Sequence, residues 1–210
     1  MSEGILVAVS GFSGAGKGTL MKELLSRHEG YALSVSATTR TPRPGEKNGV
    51  EYFFKTEEEF RRMIEEDAFI EYARYVDHYY GTPKAYVEEQ LAAGRNVILE
   101  IEIQGALAVK QKRPDTLLLF VTPPSAEELE RRLIGRGTET PEVIRSRLDR
   151  AAEESAAMGQ YDYIVINDDL RRCTEEMHGI IQASRQTAAH QAGFIEQIQK
   201  ELREREETRE

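Results

Sequence analysis

The sequence predicts an α/β fold whose core has three layers, with helices on both faces of a parallel sheet of about five strands. Two observations support this class. Short apolar runs rich in β-branched residues recur along the chain, as expected for strands that are buried on both faces. Segments with helical character separate these runs, as parallel strands require. The strand candidates are 5–9, 97–101, 117–121 and 163–166, with a weaker fifth at 31–36.

The composition of the 210-residue chain excludes several classes of protein. Hydrophobic residues make up 40% and charged residues 31%, which suits one core with smaller subdomains attached. The net charge of -9 argues against a protein that coats nucleic acid, since such proteins need a broad basic surface. No window comes near the roughly 18 apolar residues of a membrane helix, and residues 1–4 do not begin a secretory signal. We therefore expect a cytoplasmic protein without a membrane span. The single cysteine, Cys173, excludes an internal disulfide and is expected to be a packing or surface residue.

A glycine-rich string lies directly after the first predicted strand and before helical spacing at 19–25. It reads Gly11-Phe12-Ser13-Gly14-Ala15-Gly16-Lys17-Gly18-Thr19. The strand, loop and helix order identifies a P-loop, in which backbone N–H groups and a helix N-terminus surround phosphate oxygens. Lys17 is expected to reach the β- and γ-phosphates of a nucleoside triphosphate. The usual pattern has serine or threonine after the lysine, but this chain has Gly18. The metal is then held either by Thr19 or by nucleotide oxygens, water and a more distant carboxylate.

Two segments interrupt the alternation of strands and helices. Residues 41–86 contain most of the aromatic side chains, which indicates a small inserted subdomain with its own apolar cluster. Residues 126–157 are charged and helical, and breaks at Gly135, Gly137 and Pro141 predict two helices with a mobile connection, as in a lid. The charged stretch 195–210 is expected to be a helix that frays into solvent, or else a partner surface.

The string at 36–46, which reads Ser-Ala-Thr-Thr-Arg-Thr-Pro-Arg-Pro-Gly-Glu, resembles the guanylate kinase family. Matching motifs follow at 79–82, 135–139 and 167–169, and the resemblance runs from about residue 4 to residue 181. It implies a P-loop NTPase-type core with an inserted GMP-binding subdomain and a helical lid. It also implies transfer of the γ-phosphate of ATP, with Mg2+, to GMP and dGMP in purine nucleotide metabolism and GMP recycling. The implied divisions are core at 1–36, 89–125 and 158–194, GMP-binding subdomain at 37–88, lid at 126–157 and tail at 195–210.

Arginines and tyrosines of the inserted segment suit a phosphate group. Arg40 and Arg43 are three residues apart beside prolines that stiffen the loop, so two planar forks can face one phosphate dianion. Tyr52 and Tyr80 can add hydroxyl donors. If the chain had no P-loop, the segment with Arg40 and Arg43 would be better interpreted as an exposed turn. Because the P-loop is present, we predict that this segment binds the phosphate of GMP.

Recognition of guanine needs a carboxylate for the N1–H and N2–H donors and a hydroxyl for the O6 acceptor. The resemblance assigns the carboxylate to Glu71 and the hydroxyls to Ser36 and Thr82. Adenine would leave the carboxylate facing a ring edge without suitable donors, and a buried unpaired polar group gives strong discrimination.

Glu100 and Glu102 end an apolar strand, at the edge of an α/β sheet where ligands bind. The family more often has aspartate at both positions. We assign Glu102 to the GMP side and Glu100 to the magnesium and P-loop side.

Phosphoryl transfer also needs cations that arrive when both nucleotides are bound. Arg132, Arg136 and Arg147 match the family's lid and hinge arginines, and they join Lys17 and Arg40 as predicted catalytic residues. The neighbouring arginines 131, 145 and 150 are interpreted as solvated or ion-paired. Asn167 is predicted near the adenine of ATP, although an ordinary strand-to-helix turn would explain it nearly as well.

Two other functions would share some of these sequence features. A kinase of another monophosphate, such as AMP or dGMP, would share the P-loop. A guanylate-kinase-like interaction module would share the fold, but such modules usually have a degraded P-loop, whereas Gly11, Gly16 and Lys17 are all present. The predicted ligands are therefore ATP and GMP. We expect no nucleic acid or membrane partner, and a monomer or small homo-oligomer.

Overall fold

The computed structural model describes residues 3–75, 77–135, 137 and 140–207. The strands are β1 (Leu6–Gly11), β2 (Tyr31–Leu33), β3 (Ala37–Thr38), β4 (Phe53–Phe54), β5 (Phe69–Tyr75), β6 (His78–Pro83), β7 (Asn96–Glu100), β8 (Leu117–Thr122) and β9 (Tyr163–Ile166). The helices are α1 (Lys17–Arg27), α2 (Glu57–Glu65), α3 (Lys84–Ala92), α4 (Ile103–Lys112), α5 (Ala126–Gly135), α6 (Pro141–Ser155), α7 (Leu170–Ser184) and α8 (Ala192–Glu207). A short 3₁₀ helix, Met158–Gln160, precedes β9.

The core is a five-stranded sheet in the order β2-β7-β1-β8-β9, and all of its pairings are parallel. Every residue of β1 from Leu6 to Ser10 is buried. Because successive side chains of a strand point to opposite faces, both faces of this strand are covered. The predicted α/β class and five-stranded parallel sheet are confirmed.

The predicted strand at 31–36 is shorter than expected. It pairs with β7 only as far as Leu33, and Ser34 N–H still donates to the carbonyl of Ile98 at 2.8 Å. The chain then leaves the core and enters a second sheet at β3. The strand therefore ends where the backbone changes sheets, and no local sequence signal marks that point.

The second sheet has the order β4-β3-β6-β5 and carries the aromatic residues of the inserted segment. Phe60 of α2 is fully buried and stacks on Phe69, with ring centroids 4.4 Å apart. A capping box between Thr56 and Glu59 begins α2. This sheet has its own buried cluster, but the boundary that we place at residue 88 stays a prediction.

The two helices of the predicted lid end and begin at the expected breaks. Helix α5 ends at Gly135, and α6 begins with Pro141 after the cap residue Thr140. The last helix, α8, leaves Phe194 and Leu202 largely exposed. Among the described residues, no helix is long and apolar enough to cross a membrane. Cys173 is fully buried in α7, and burial raises the pKa of its thiol to about 12.

Candidate active site

The glycine-rich loop joins the carboxyl end of β1 to the first turn of α1. Gly14 and Gly16 have φ angles of 97° and 90°, in the left-handed region that favours glycine. A Cβ atom at Gly16 would also lie 2.6 Å from Nδ2 of Asn167. At Gly18, by contrast, no atom of the described residues lies within 4 Å of a Cβ atom built there. The loop therefore requires glycine at position 16 but leaves room for a side chain at 18.

Lys17 lies over this loop. Its ammonium donates to the carbonyl of Gly11 at 2.6 Å and to that of Phe12 at 3.3 Å. Burial raises the pKa of Glu100, at the end of β7, and the charge of Lys17 opposes that rise. The Glu100 side chain is exposed at the end of the strand, so it loses only part of its hydration. Lys17 is thus close enough to Glu100 for their charges to interact.

Side chains of the described residues do not form a complete metal site on their own. In the described part of the chain, no group of three or more His, Cys, Asp or Glu residues could hold a metal ion. Thr19 and Glu100 are both exposed. Magnesium usually keeps several waters and takes one or two carboxylates together with substrate phosphates, so a lone Glu100 suits it. The assignment of Thr19 and Glu100 as metal ligands stays a prediction.

Asn167 and Arg132 both donate hydrogen bonds to the backbone of the P-loop. The Asn167 amide donates to the carbonyl of Ala15 at 2.8 Å, and Arg132 donates to the same carbonyl at 3.3 Å. Arg132 also donates to the backbone carbonyl of Asn167 at 2.7 Å and to Glu128 at 2.7 Å. Hydrogen bonds from Arg131 and Arg132 hold the pKa of Glu128 at about 2. The loop carbonyl is thereby tied to the strand-to-helix turn that follows β9.

The second lid helix also reaches the loop. Arg147 of α6 donates to the hydroxyl of Ser13. Arg132 and Arg147 are therefore both beside the P-loop, as their predicted role requires. Arg136, the third predicted lid arginine, lies outside the described residues.

The Arg40 guanidinium is held by a carboxylate of its own loop. One of its terminal nitrogens donates to both oxygens of Glu46, at 2.8 and 2.9 Å, and the other donates to the carbonyl of Thr41 at 2.8 Å. The guanidinium carbon also lies 5.3 Å from the ring centroid of Tyr52 and 5.8 Å from that of Phe54. Arg40 holds the pKa of the Glu46 carboxyl below its ordinary value. Glu46, which stands three residues after Arg43 in the same motif, was not among the predicted site residues.

The other predicted phosphate ligands are Tyr52, Tyr80 and Arg43. Pairing of β3 with β6 places Tyr80 opposite Thr38, and the Tyr80 and Tyr52 rings are 6.0 Å apart. The backbone N–H of Arg43 donates to Glu46 at 2.7 Å, and Arg43 itself is exposed. Tyr52, Tyr80 and Arg40 thus lie close together, while Arg43 joins them through its backbone contact with Glu46.

Glu71 and Thr82 form a buried polar pair between β5 and β6. The Thr82 hydroxyl donates to one oxygen of Glu71 at 2.7 Å, and Glu71 is only 9% exposed. A Cβ atom at Gly105, in the first turn of α4, would lie 3.3 Å from the other Glu71 oxygen. Burial raises the pKa of Glu71, while Thr82 and Lys112 oppose the rise. Thr82 was expected to face guanine O6, whereas in this structure its hydroxyl donates to Glu71.

Glu102 and Ser36 complete the set of predicted GMP ligands. Glu102 precedes α4, its side chain is 76% exposed, and one of its oxygens accepts a hydrogen bond from Arg150 at 3.1 Å. Ser36 is half-buried between β2 and β3, and its carbonyl accepts from the N–H of Phe53 at 2.9 Å. Arg150, expected to be solvated or ion-paired, is ion-paired.

Comparison with known proteins agrees with this geometry. A sequence model described as guanylate kinase matches residues 4–184. The chain belongs to the guanylate kinase family. It is similar to the guanylate kinase of Caldanaerobacter subterraneus subsp. tengcongensis, with 53% identity over 183 residues, which are 87% of this chain and 89% of that one. The guanylate kinase of Clostridioides difficile is 47% identical over 203 residues, covering 96% of this chain and 99% of that one. A solved guanylate kinase from Anaplasma phagocytophilum superposes with a TM-score of 0.71 at 31% identity, over 90% of each chain.

The guanylate kinase family match bears on the predicted ligand residues through the segments that it covers. The match covers the P-loop, the inserted sheet and both lid helices, so it includes every residue assigned above to a ligand. Their individual roles stay predictions. Glu46 and Glu128, which hold Arg40 and Arg132, were not among the predicted site residues.

Proposed function

We propose that this chain transfers the γ-phosphate of ATP to GMP, and also to dGMP, giving ADP and the diphosphate. The observation that carries the proposal is the buried carboxylate of Glu71, which accepts a hydrogen bond from Thr82. Both residues belong to the second sheet, which also contains Tyr80, and Arg40 follows strand β3 of that sheet. A carboxylate suits the two ring-edge donors of guanine, which adenine lacks. The arginine loop suits the phosphate at the other end of the nucleotide.

The chemistry requires positioning and charge more than proton transfer. The acceptor phosphate is already ionised at neutral pH, so no general base is needed. Lys17 and the P-loop N–H groups hold the donor phosphates, and Arg132 and Arg147 bring positive charge to the same loop. Closure of α5 and α6 excludes water that would otherwise hydrolyse ATP. Arg136 belongs to this group by resemblance alone.

Mg2+ is proposed to accompany ATP. Glu100 would hold it, directly or through water, with Thr19 as a further candidate ligand. When bound, Mg2+ neutralises negative charge on the β- and γ-phosphates. We also infer a cytoplasmic enzyme that acts as a monomer or small homo-oligomer, without a nucleic acid partner, in keeping with the net charge of -9.

A coupled ADP-release assay across GMP, dGMP and AMP tests the proposal. We expect activity with GMP and dGMP, and a kcat/KM for AMP lower by at least about 1,000-fold. Lys17→Met should fold and lose at least ~100-fold in kcat. Arg40→Met should raise the KM for GMP by about 10- to 100-fold. Preference for AMP, or near-normal kinetics in both variants, would contradict the proposal.

A further inference from the structure

An ion pair joins the lid to the acceptor side of the site. Arg150, in the second half of α6, donates to one oxygen of Glu102 at 3.1 Å. Glu102 lies at the start of α4, 48 residues earlier in the chain. The contact therefore connects two elements that meet only through the fold.

Arg150 is also fixed on its own helix. Its Nε donates to Glu154, one turn further along α6, at 2.7 Å. The Glu154 side chain is 17% exposed, compared with 50% for Arg150. This carboxylate thus holds the guanidinium through Nε, while a terminal nitrogen of the same group donates to Glu102.

Helix α6 contacts both halves of the site with neighbouring side chains. Arg147 and Arg150 are three residues apart, so they lie on one side of the helix. Arg147 reaches Ser13 of the P-loop, and Arg150 reaches Glu102. One rigid element therefore touches the donor loop and a predicted acceptor ligand at the same time.

We propose that Arg150 is a positioning residue for the acceptor nucleotide. It holds Glu102 through one carboxylate oxygen, Oε2, and leaves Oε1 to face GMP. Glutamate has one more rotatable bond than the aspartate usual in the family, so Glu102 has more freedom to lose on binding. Arg150 removes part of that freedom before GMP arrives. The inference rests on the proposed function, because it assumes that Glu102 contacts GMP.

The test compares Arg150→Met with Arg145→Met. Arg145 is exposed on the same helix and takes part in none of the contacts described above. Its replacement by methionine removes the same charge without removing the contact to Glu102. Steady-state kinetics and calorimetric titration of GMP are measured for both variants. We expect Arg150→Met to raise the KM and Kd for GMP by a factor of about two to five, the range of exposed ion pairs. The KM for ATP should stay within about 1.5-fold, and Arg145→Met should resemble the wild type.

A double-mutant cycle with Glu102→Ala, which removes the acceptor oxygens, shows whether Arg150 acts through Glu102. If it does, Arg150→Met has no added effect on GMP binding once Glu102 is replaced. Arg150→Lys, which keeps the charge without the planar fork, should recover part of the affinity. Equal effects of Arg150→Met and Arg145→Met, or additivity in the cycle, would overturn the inference. A wild-type protein inactive toward GMP would instead overturn the proposed function.

Discussion

Arg40 and Glu46 form a bidentate ion pair within the loop that is proposed to bind the phosphate of GMP. Both side chains are largely shielded, at 13% and 18% exposure. The pair fixes one edge of the guanidinium while the rings of Tyr52 and Phe54 lie against it. An arginine held in this way loses less conformational entropy when it binds a phosphate.

Glu46→Gln tests whether this pair prepares Arg40 for the substrate. The amide keeps the shape but removes the charge, which should release the guanidinium. We expect the KM for GMP to rise roughly 3- to 10-fold, since about 1 kcal/mol of charge-assisted hydrogen bonding is lost. Steady-state kinetics measure this, with Glu57→Gln in the exposed ion pair of α2 as the control. A lower KM would mean that Glu46 competes with the phosphate instead.

Thr82→Val should lower stability and weaken GMP binding together. The change removes the hydroxyl that donates to Glu71 and leaves a buried carboxylate oxygen without that hydrogen bond. We expect a loss of about 1–3 kcal/mol in the free energy of unfolding, measured in urea, together with a higher KM for GMP.

Thr174→Val is the matched control for this change. Thr174 is equally buried, in α7, and its hydroxyl donates to the carbonyl of Leu170 at 2.7 Å. It should alter stability while leaving the KM for GMP unchanged. If both variants changed the KM equally, Thr82 would have no specific part in binding.

The pH dependence of stability should depend on Glu71. Burial raises the folded-state pKa of this carboxyl above its unfolded value. A folded state that binds the proton more tightly is favoured at low pH, and this contribution is lost as the pH rises through the folded-state pKa. Glu71→Gln stays neutral throughout. Its free energy of unfolding should therefore increase relative to the wild type as the pH is raised from below the ordinary glutamate pKa through the higher folded-state pKa of Glu71.

Urea unfolding at several pH values measures this difference. A constant difference between Glu71→Gln and the wild type would show that burial of Glu71 does not affect its protonation. Binding of GMP to the wild type should weaken as the pH falls through the pKa of Glu71, because the protonated carboxyl accepts fewer hydrogen bonds.

Two glycines of the P-loop should respond differently to alanine. Gly16→Ala places a Cβ atom in a left-handed conformation and 2.6 Å from Asn167. We expect it to cost about 1–3 kcal/mol and to impair ATP binding. Gly18→Ala meets open space among the described residues and should leave the melting temperature within about 2 °C. Thermal melts and ATP titrations distinguish the two, and equal destabilisation would contradict the structure of the loop.

Gly18→Ser extends this comparison to the metal. It restores the hydroxyl that most P-loops have after the lysine. If that position faces the ion, the Mg2+ concentration that gives half-maximal activity should fall. An unchanged requirement would indicate that Thr19, Glu100 or the nucleotide already supplies the needed oxygens.

Local patterns were enough to predict much of this protein. Strands β1, β7 and β8 are continuous apolar runs because both of their faces are buried, so they are visible in the sequence. The apolar run of β9 is visible as well, although Tyr163, Ile164 and Ile166 are exposed at the edge of the sheet. The P-loop is equally local, because its glycines, Lys17 and the following helix are contiguous. Strand β2 was predicted too long because its end depends on where the backbone leaves the sheet.

The sequence by itself therefore determined the fold class, the P-loop and the family. The partners of individual side chains were decided only by the tertiary structure. Thr82 donates to Glu71 because β5 and β6 pair, and Arg150 meets Glu102 because the fold brings the second half of α6 within reach of the residue before α4. Such contacts join residues distant in the chain, and their choice depends on the backbone path between them. An ion pair between Arg150 and Glu102 has no sequence pattern, since any of several arginines in the lid could have reached that carboxylate.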